Sequence, residues 1–247
     1  MRPQFRFGFR AVWFAAELLL FFLAYFWRGW RTAGRLSAAE RSRWLQWCCR
    51  RTLRVFSVQI TCIGTPPSAG LLVCNHLSYV DVLVLSALTP AVFIAQAGVR
   101  HWPVFGWCAR LAGTLFVDRA RRGDVYRVNS LIAAALAGGE VVVLFPEGTS
   151  WNGREVLPFK PALLEPAVTR GQPPGIGHLS YALSDGDASE EVCFWGDVRF
   201  LPHLMRLMTK RQIQARARFA SVTNPAPDRK SLARQLHAAV VALGREG

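Results

Sequence analysis

The sequence predicts an α/β fold preceded by N-terminal membrane-associated helices. From about residue 55 onward, short apolar runs alternate with longer segments of helical character, which is the pattern of strands connected by helices. A 17-residue apolar stretch lies near the N-terminus between groups of arginines. A chain of 247 residues is long enough for one domain with a substantial core.

The charge of the chain predicts an anionic partner. There are 30 Lys and Arg against 16 Asp and Glu, which gives a formal net charge of +14. Nucleic acid and anionic lipid both fit such a balance. Because many arginines near the N-terminus stand beside Trp, Phe and Leu, as at a lipid headgroup boundary, we expect membrane lipids as partners and no nucleic acid.

Residues 1–57 are predicted to form membrane-anchoring and interfacial helices, ahead of a second domain at 58–247. The apolar stretch 11–27 is interrupted only by Glu17, and arginines lie on both sides of it. Crossing a bilayer takes about 20 apolar residues, with about 17 as the lower limit, so a tilted span and a half-embedded helix are both open. A buried core helix is the alternative.

A second helix is predicted after Ser37, which forms a capping box with Glu40. Apolar residues recur at helical spacing up to Phe56, and arginines occupy much of the remaining surface. Such a helix fits the membrane interface or an ordinary amphipathic surface position.

Short apolar runs mark the strands, although their order and direction cannot be read from the sequence. A helix at 231–243 closes the chain. The runs lie at 56–63, 71–74, 92–95, 115–117 and 141–145, followed by 179–183, 192–195 and 215–222.

The six cysteines show neither CxxC spacing nor a metal-binding pattern. Most of their neighbours are apolar, so buried free thiols in a reducing compartment fit best. We assign them no chemistry.

A polar cluster follows the run 71–74, where a predicted strand leaves the sheet. It contains His76, Ser78 and Asp81. Ligands bind beyond the carboxyl ends of strands in open α/β sheets. If Ser78 caps a helix over residues 82–88, Asp81 falls in its first turn and can reach back to hold one imidazole nitrogen of His76. The other nitrogen can then take a proton from a substrate hydroxyl. The alternative is a plain helix cap with a loop histidine.

A second cluster follows the continuous apolar run 141–145, which is typical of a strand covered on both faces. It contains Glu147, Gly148 and Thr149. Glycine lets the backbone come close to a ligand, and Glu147 can hydrogen-bond a substrate hydroxyl or orient a positive group. The alternative is an ordinary turn.

Arginines follow the run 115–117, and Arg119 is nearest to the strand. A guanidinium group at a strand end is suited to clamping a phosphate through paired hydrogen bonds. For Arg121 and Arg122 a solvated helix start is the alternative.

The combined spacing of these motifs resembles that of the glycerolipid acyltransferases, a family typified by bacterial 1-acyl-sn-glycerol-3-phosphate acyltransferase. The resemblance covers residues 71–160 well and extends more weakly to 220. It rests on Asn75-His76-x4-Asp81, Phe116-Val117-Asp118-Arg119, Phe145-Pro146-Glu147-Gly148-Thr149 and Leu157-Pro158-Phe159-Lys160.

The resemblance implies a single αβ acyltransferase domain at 58–247, with a mixed sheet flanked by helices. It implies His76 as general base and Asp81 as the residue that orients it. It further implies acyl-CoA or acyl carrier protein as donor, and no metal or other cofactor. The implied acceptor-binding residues are Arg119, Glu147, Gly148 and Thr149.

The predicted reaction transfers a fatty acyl group to a lysolipid hydroxyl at the inner, cytoplasmic membrane, with the active site facing the cytoplasm. The first acceptor is 1-acyl-sn-glycerol-3-phosphate, which gives phosphatidate. Lyso-ornithine lipid or another lysophospholipid is the alternative, because Ser150 and Gln96 stand where many phosphatidate-forming members have Arg and Lys. A further motif of the family is degraded at 174–181.

Two other classes of function fit parts of the sequence. A noncatalytic basic membrane-binding protein explains the charge, but not why His76, Asp81 and Glu147 follow apolar runs at the family's spacing. A serine hydrolase lacks the G-x-S-x-G motif, and Ser78 is too near His76 in sequence to be assigned as nucleophile.

Overall fold

A computed structural model describes residues 3–34, 36–118 and 120–246, without the side chain of residue 122. Seven strands form one sheet in it. The strands are β1 (Val58–Ile63), β2 (Gly70–Cys74), β3 (Ala91–Gln96), β4 (Leu115–Val117), β5 (Val141–Leu144), β6 (Gly175–Leu183) and β7 (Ile213–Ser221).

The α-helices connect and flank these strands. They are α1 (Pro3–Arg31), α2 (Ala38–Val55), α3 (Val80–Leu88), α4 (Phe105–Leu111), α5 (Arg122–Ala137), α6 (Glu165–Arg170), α7 (Ala188–Glu191), α8 (Phe200–Thr209) and α9 (Arg229–Arg245). Short 3-10 helices lie at Ala97–His101 and Pro161–Leu163.

The sheet is mixed, with strand order β1-β7-β6-β2-β5-β3-β4. Strand β2 is parallel to both β5 and β6, and β3 is parallel to β5 and β4. Strand β7 runs antiparallel to β6 and parallel to β1. The predicted α/β fold with a mixed sheet is confirmed. Because β2 and β5 are parallel neighbours, the polar clusters that follow them meet at one edge of the sheet.

Helices cover both faces of the sheet and enclose two hydrophobic cores. The core on one face contains residues of α1, α2, α3 and α8, and the other contains residues of α5, α6 and α9. Phe14 and Phe21 of α1 belong to the first core together with Val143 of β5. The N-terminal helices therefore share a core with the sheet, and the predicted boundary between 57 and 58 stays a prediction.

Helix α1 buries two charged residues, Arg10 and Glu17, beside Phe14 and Phe21, and it exposes most of its other large apolar residues. Arg10 is 5% exposed and donates to the carbonyl of Met208 at 3.1 Å. Glu17 is 4% exposed and accepts two hydrogen bonds from Arg51, at 2.5 and 2.9 Å. The exposed large apolar residues of α1 are Phe5, Phe9, Val12, Trp13, Leu19, Leu20, Leu23, Phe26, Trp27 and Trp30.

An outward apolar face of this extent marks a membrane or protein interaction surface. By length and composition α1 could cross a membrane. Its inward face, however, contacts the rest of the protein from Arg6, which donates to the carbonyl of Thr209, to Arg28, which lies over the ring of Trp47.

Most of the predicted elements are present. The capping box of Ser37 and Glu40 starts α2, and the predicted closing helix is α9. The strand expected at 192–195 is wrong. That run follows α7 as a turn, in which Val192 belongs to the first core and Phe194 packs against Tyr79. Its burial satisfies the hydrophobic pattern without any strand pairing.

Candidate active site

The loop between β2 and α3 places Asp81 against His76. The distance from His76 Nδ1 to Asp81 Oδ2 is 2.8 Å. The same oxygen accepts hydrogen bonds from the backbone N–H groups of Leu77 at 2.6 Å and Ser78 at 2.9 Å. A carboxylate only accepts hydrogen bonds, so the geometry holds the proton on Nδ1 and leaves Nε2 to accept one.

Ser78 is not the residue that caps α3. The helix begins at Val80, two residues before the expected start, and its cap residue is Tyr79. The Ser78 hydroxyl accepts from the Val80 N–H at 3.3 Å, and the Asp81 N–H donates to the Ser78 carbonyl at 3.0 Å. The earlier start still leaves Asp81 in the first turn, from which its side chain reaches back to His76.

The loop after β5 holds His76 from the other side. Phe145 stacks on the imidazole at 4.1 Å between ring centroids. Glu147 Oε1 accepts the backbone N–H of His76 at 2.6 Å, and Oε2 accepts that of Leu157 at 2.8 Å. Burial raises the pKa of Glu147 to about 7, although these two hydrogen bonds oppose the rise. Glu147 thus ties together three segments of the chain.

The other predicted site residues divide into three groups. Gly148 and Thr149 line the same cavity as His76, and Gly148 has a φ of 80°, which favours glycine. Glu147 is 2% exposed and lies behind this surface, where its oxygens face backbone N–H groups. Arg119 lies outside the described residues. The roles of these residues in binding the acceptor remain predictions.

The cavity has a volume of about 370 Å³, and its lining is mostly apolar. It extends from His76 and the loop after β5 to the N-terminal helices. Helix α1 forms part of the cavity wall. The sequence predicts this helix only as a membrane anchor and not as part of the site. Apolar wall residues include Phe14, Leu18, Phe21, Leu45, Leu83 and Phe105.

The structure adds two residues to the site for which the sequence predicts no role. The Asn75 amide exchanges hydrogen bonds with the backbone of Leu179 on β6, at 3.0 and 2.7 Å. The Tyr181 hydroxyl, on the same strand, donates to Asp81 Oδ1 at 2.7 Å. Asn75 stands inside the first motif, whereas Tyr181 lies 100 residues beyond Asp81, at the end of the stretch 174–181 where the family's further motif is degraded.

Comparison with known proteins identifies the family. The sequence model of the Acyltransferase family matches residues 60–174. Lyso-ornithine lipid O-acyltransferase of Brucella abortus is 37% identical over 210 residues, which cover 78% of this chain and 79% of that protein. The chain belongs to the glycerolipid acyltransferase family.

Other relatives in the glycerolipid acyltransferase family carry two different names. Lyso-ornithine lipid O-acyltransferase of Pseudomonas aeruginosa is 34% identical, with 81% of this chain and 78% of that protein covered. The 1-acyl-sn-glycerol-3-phosphate acyltransferase of Neisseria meningitidis is 31% identical, with 66% of each chain covered. The predicted family and enzyme class, a lysolipid O-acyltransferase, are confirmed.

The fold also has a solved counterpart in this family. The crystal structure of the 1-acyl-sn-glycerophosphate acyltransferase from Thermotoga maritima matches with a TM-score of 0.57, covering 96% of this chain and 99% of that one. The sequence identity is 18%, so this likeness establishes the architecture alone.

Proposed function

We propose that this acyltransferase moves a fatty acyl group from a thioester donor to the hydroxyl of lyso-ornithine lipid. The observation that carries the proposal is the His76–Asp81 pair, held at 2.8 Å at the wall of an apolar cavity. A base beside an apolar cavity suits a reaction between a polar hydroxyl and a long acyl chain.

In the proposed mechanism, His76 Nε2 removes the proton from the acceptor hydroxyl as its oxygen attacks the thioester carbonyl. The tetrahedral intermediate then collapses, the carbon–sulfur bond breaks, and the proton passes from the imidazolium to the departing thiolate. Asp81 keeps the imidazole in the required tautomer and stabilises its positive charge. This chemistry needs no metal or other cofactor, because His76 and Asp81 supply the base.

The acceptor is proposed from charge at the cavity wall. Gln96 and Ser150 both line the cavity, and neither carries the positive charge that would favour a phosphate monoester. The headgroup of lyso-ornithine lipid carries a carboxylate and an ammonium group in place of a phosphate. The Brucella and Pseudomonas relatives with this name support the choice. The second candidate, 1-acyl-sn-glycerol-3-phosphate, is supported by the Neisseria meningitidis relative of that name.

The donor is proposed to be acyl-CoA or acyl carrier protein, since both are acidic and the chain has a net charge of +14. We assign the apolar cavity to the transferred acyl chain. Cys48, Cys49 and Cys108 lie in its wall, so a bound acyl chain should protect these thiols from a small apolar alkylating reagent.

The membrane position follows from α1. Its outward apolar residues are proposed to lie in the cytoplasmic leaflet of the inner membrane, with the helix along the domain. Arg31 lies over the ring of Trp27 at 4.9 Å, an arrangement suited to the headgroup boundary. The active site then faces the cytoplasm, where both acidic donors are present. No nucleic acid partner is part of this proposal.

An acyl-transfer assay tests the reaction. Purified wild-type protein and the His76→Ala variant are assayed in liposomes with labelled acyl-CoA or acyl carrier protein, and with each of the two acceptors. Loss of a general base costs about 10²- to 10⁴-fold in rate. The matched control is His101→Ala, which removes an exposed histidine of a 3-10 helix and should keep wild-type turnover.

The outcomes of this assay are separable. Turnover that collapses only in His76→Ala supports the reaction and its base, and the faster acceptor names the substrate. Equal turnover in wild type and His76→Ala rejects His76 as base. Absence of wild-type turnover with every pair of substrates rejects the proposed acceptors.

Liposome flotation tests the membrane position. Replacing Leu19 and Leu23 with lysine puts two charges on the outward face of α1 while leaving its inward contacts intact. The matched control replaces Ala238 and Ala242 with lysine, since these are exposed residues of α9 with the same spacing. We expect only the α1 variant to leave the liposome fraction. Retention of both variants would place the membrane contact elsewhere.

A further inference from the structure

We propose that Tyr181 is a positioning residue of the acyl transfer, which acts through Asp81 and does not touch the substrate. The inference rests on the proposed role of His76 as base. It extends the site to β6, a strand that contributes no residue to the predicted catalytic machinery.

The first argument is the division of hydrogen bonds between the two oxygens of Asp81. The side chain is 0% exposed, so neither oxygen can be satisfied by bulk water. Oδ2 accepts from His76 and from two backbone N–H groups. Within the part of the chain that the structure describes, the Tyr181 hydroxyl is the one donor to Oδ1, at 2.7 Å. Tyr181 therefore completes the shell of a fully buried carboxylate.

The second argument is that the position of Tyr181 is fixed. Strand β6 lies between β2 and β7, and Tyr181 pairs with Ala215 in the antiparallel ladder. Two residues earlier, the backbone of Leu179 is bound on both sides by the amide of Asn75, which precedes His76 in sequence. The hydroxyl is thus held at a constant distance from the loop that carries the base.

The third argument concerns which group donates. Burial, followed by the nearby Asp81 carboxylate, raises the pKa of Tyr181 well above its usual range. The hydroxyl therefore keeps its proton and can donate it to Oδ1. With both oxygens engaged, the carboxylate cannot rotate about its terminal bond, and Oδ2 stays aimed at His76 Nδ1.

Removing the hydroxyl would leave Oδ1 buried and unpaired. The carboxylate could then rotate, and the imidazole would spend less time in the tautomer that presents an unprotonated Nε2 to the acceptor. The loss should appear in kcat, because the acceptor and the donor are bound by other residues. We expect Tyr181→Phe to lower kcat by about 10-fold, with both KM values within about 2-fold of wild type.

A double-mutant cycle tests whether Tyr181 acts through Asp81. Tyr181→Phe, Asp81→Asn and the double variant are assayed in liposomes beside wild type. The matched control is Tyr126→Phe, which removes the hydroxyl of a tyrosine that is 74% exposed on α5. If the proposal is right, Tyr181→Phe costs about 10-fold in the wild-type background and nothing further beside Asp81→Asn. An equal loss in both backgrounds, or no loss at all, would overturn it.

A measurement independent of turnover separates this inference from the proposed function. Nitrogen-15 NMR of labelled histidine reports the tautomer of His76, which the His76→Ala variant identifies among the 5 histidines. We expect the Nδ1–H tautomer in wild type and a mixture of tautomers in Tyr181→Phe. An unchanged tautomer would overturn the proposal even if the enzyme used another acceptor. If Tyr181→Phe failed to fold, 3-fluorotyrosine at position 181 would alter the donor strength while preserving the shape of the side chain.

Discussion

The chain segments that follow β2 and β5 each bring one buried carboxyl group to His76. Asp81, from the first, holds the imidazole through Nδ1. Glu147, from the second, holds the backbone N–H of the same residue and that of Leu157. Asp81 accepts four hydrogen bonds in all, whereas Glu147 accepts two. At Glu147 burial is the largest influence on the pKa and outweighs its two hydrogen bonds.

The two carboxyl groups therefore have different roles, Asp81 in the chemistry of the base and Glu147 in the position of its loop. A carboxylate on the imidazole decides the tautomer of the base and stabilises its charged form. A carboxyl group that accepts from backbone N–H groups, as Glu147 does, fixes the position of His76 relative to the loop after β5. We therefore expect changes at Asp81 to appear in turnover, and changes at Glu147 to appear first in folding stability.

The largest expected effect is that of Asp81→Asn. The amide cannot accept from Nδ1 and both backbone N–H groups in the same way, and it favours the wrong tautomer of His76. We expect kcat to fall by roughly 10²- to 10⁴-fold, with KM for the acceptor little changed. Steady-state kinetics in liposomes measure this. A change confined to KM would instead give Asp81 a role in substrate binding, and the proposed difference in role between Asp81 and Glu147 would be wrong.

The pH dependence of stability gives the next effect. Between pH 4.5 and about 7 the unfolded chain releases the Glu147 proton while the folded protein keeps it. The free energy of unfolding should therefore fall as pH rises through this window, by roughly 3 kcal/mol, and the contribution is fully present below it. Denaturation of wild type and Glu147→Gln at several pH values measures this. Parallel curves for the two proteins would contradict the assignment.

Asn75→Ala tests how the loop after β2 is tied to β6. The change removes two hydrogen bonds with Leu179 and leaves buried backbone groups unpaired. We expect a loss of about 1–3 kcal/mol in the free energy of unfolding, measured by chemical denaturation. A stable variant with normal turnover would show that the pairing of β2 with β6 alone is sufficient to position the loop.

The smallest effect is expected for Thr149→Ala, at the exposed end of the loop after β5. Stability should change by less than about 0.5 kcal/mol, since an exposed hydroxyl contributes little. If Thr149 contacts the acceptor as predicted, KM for the acceptor rises a few-fold at unchanged kcat. A large fall in kcat would instead give this loop a catalytic role.

The features predicted well from the sequence depend on residues close together in the chain. Strand β4 was predicted with its observed bounds, and the capping box of Ser37 and Glu40 predicted the start of α2. For the run 192–195, the sequence does not distinguish a strand from a buried turn. An apolar run indicates that its side chains are buried, but not which elements bury them. The same ambiguity left the role of α1 open.

By itself the sequence determined the alternation of strands and helices and the motif spacing that brings Asp81 into the first turn of a helix beside His76. Hydrophobic periodicity, helix capping and the five-residue spacing of His76 and Asp81 are local features, so they can be recognised without knowledge of the fold. Only the tertiary structure decided that Tyr181 completes the shell of Asp81, that Glu147 braces the loop of His76, and that α1 builds a wall of the cavity. These contacts depend on strand order and helix packing, which join residues far apart in the chain and leave no periodic pattern in the sequence.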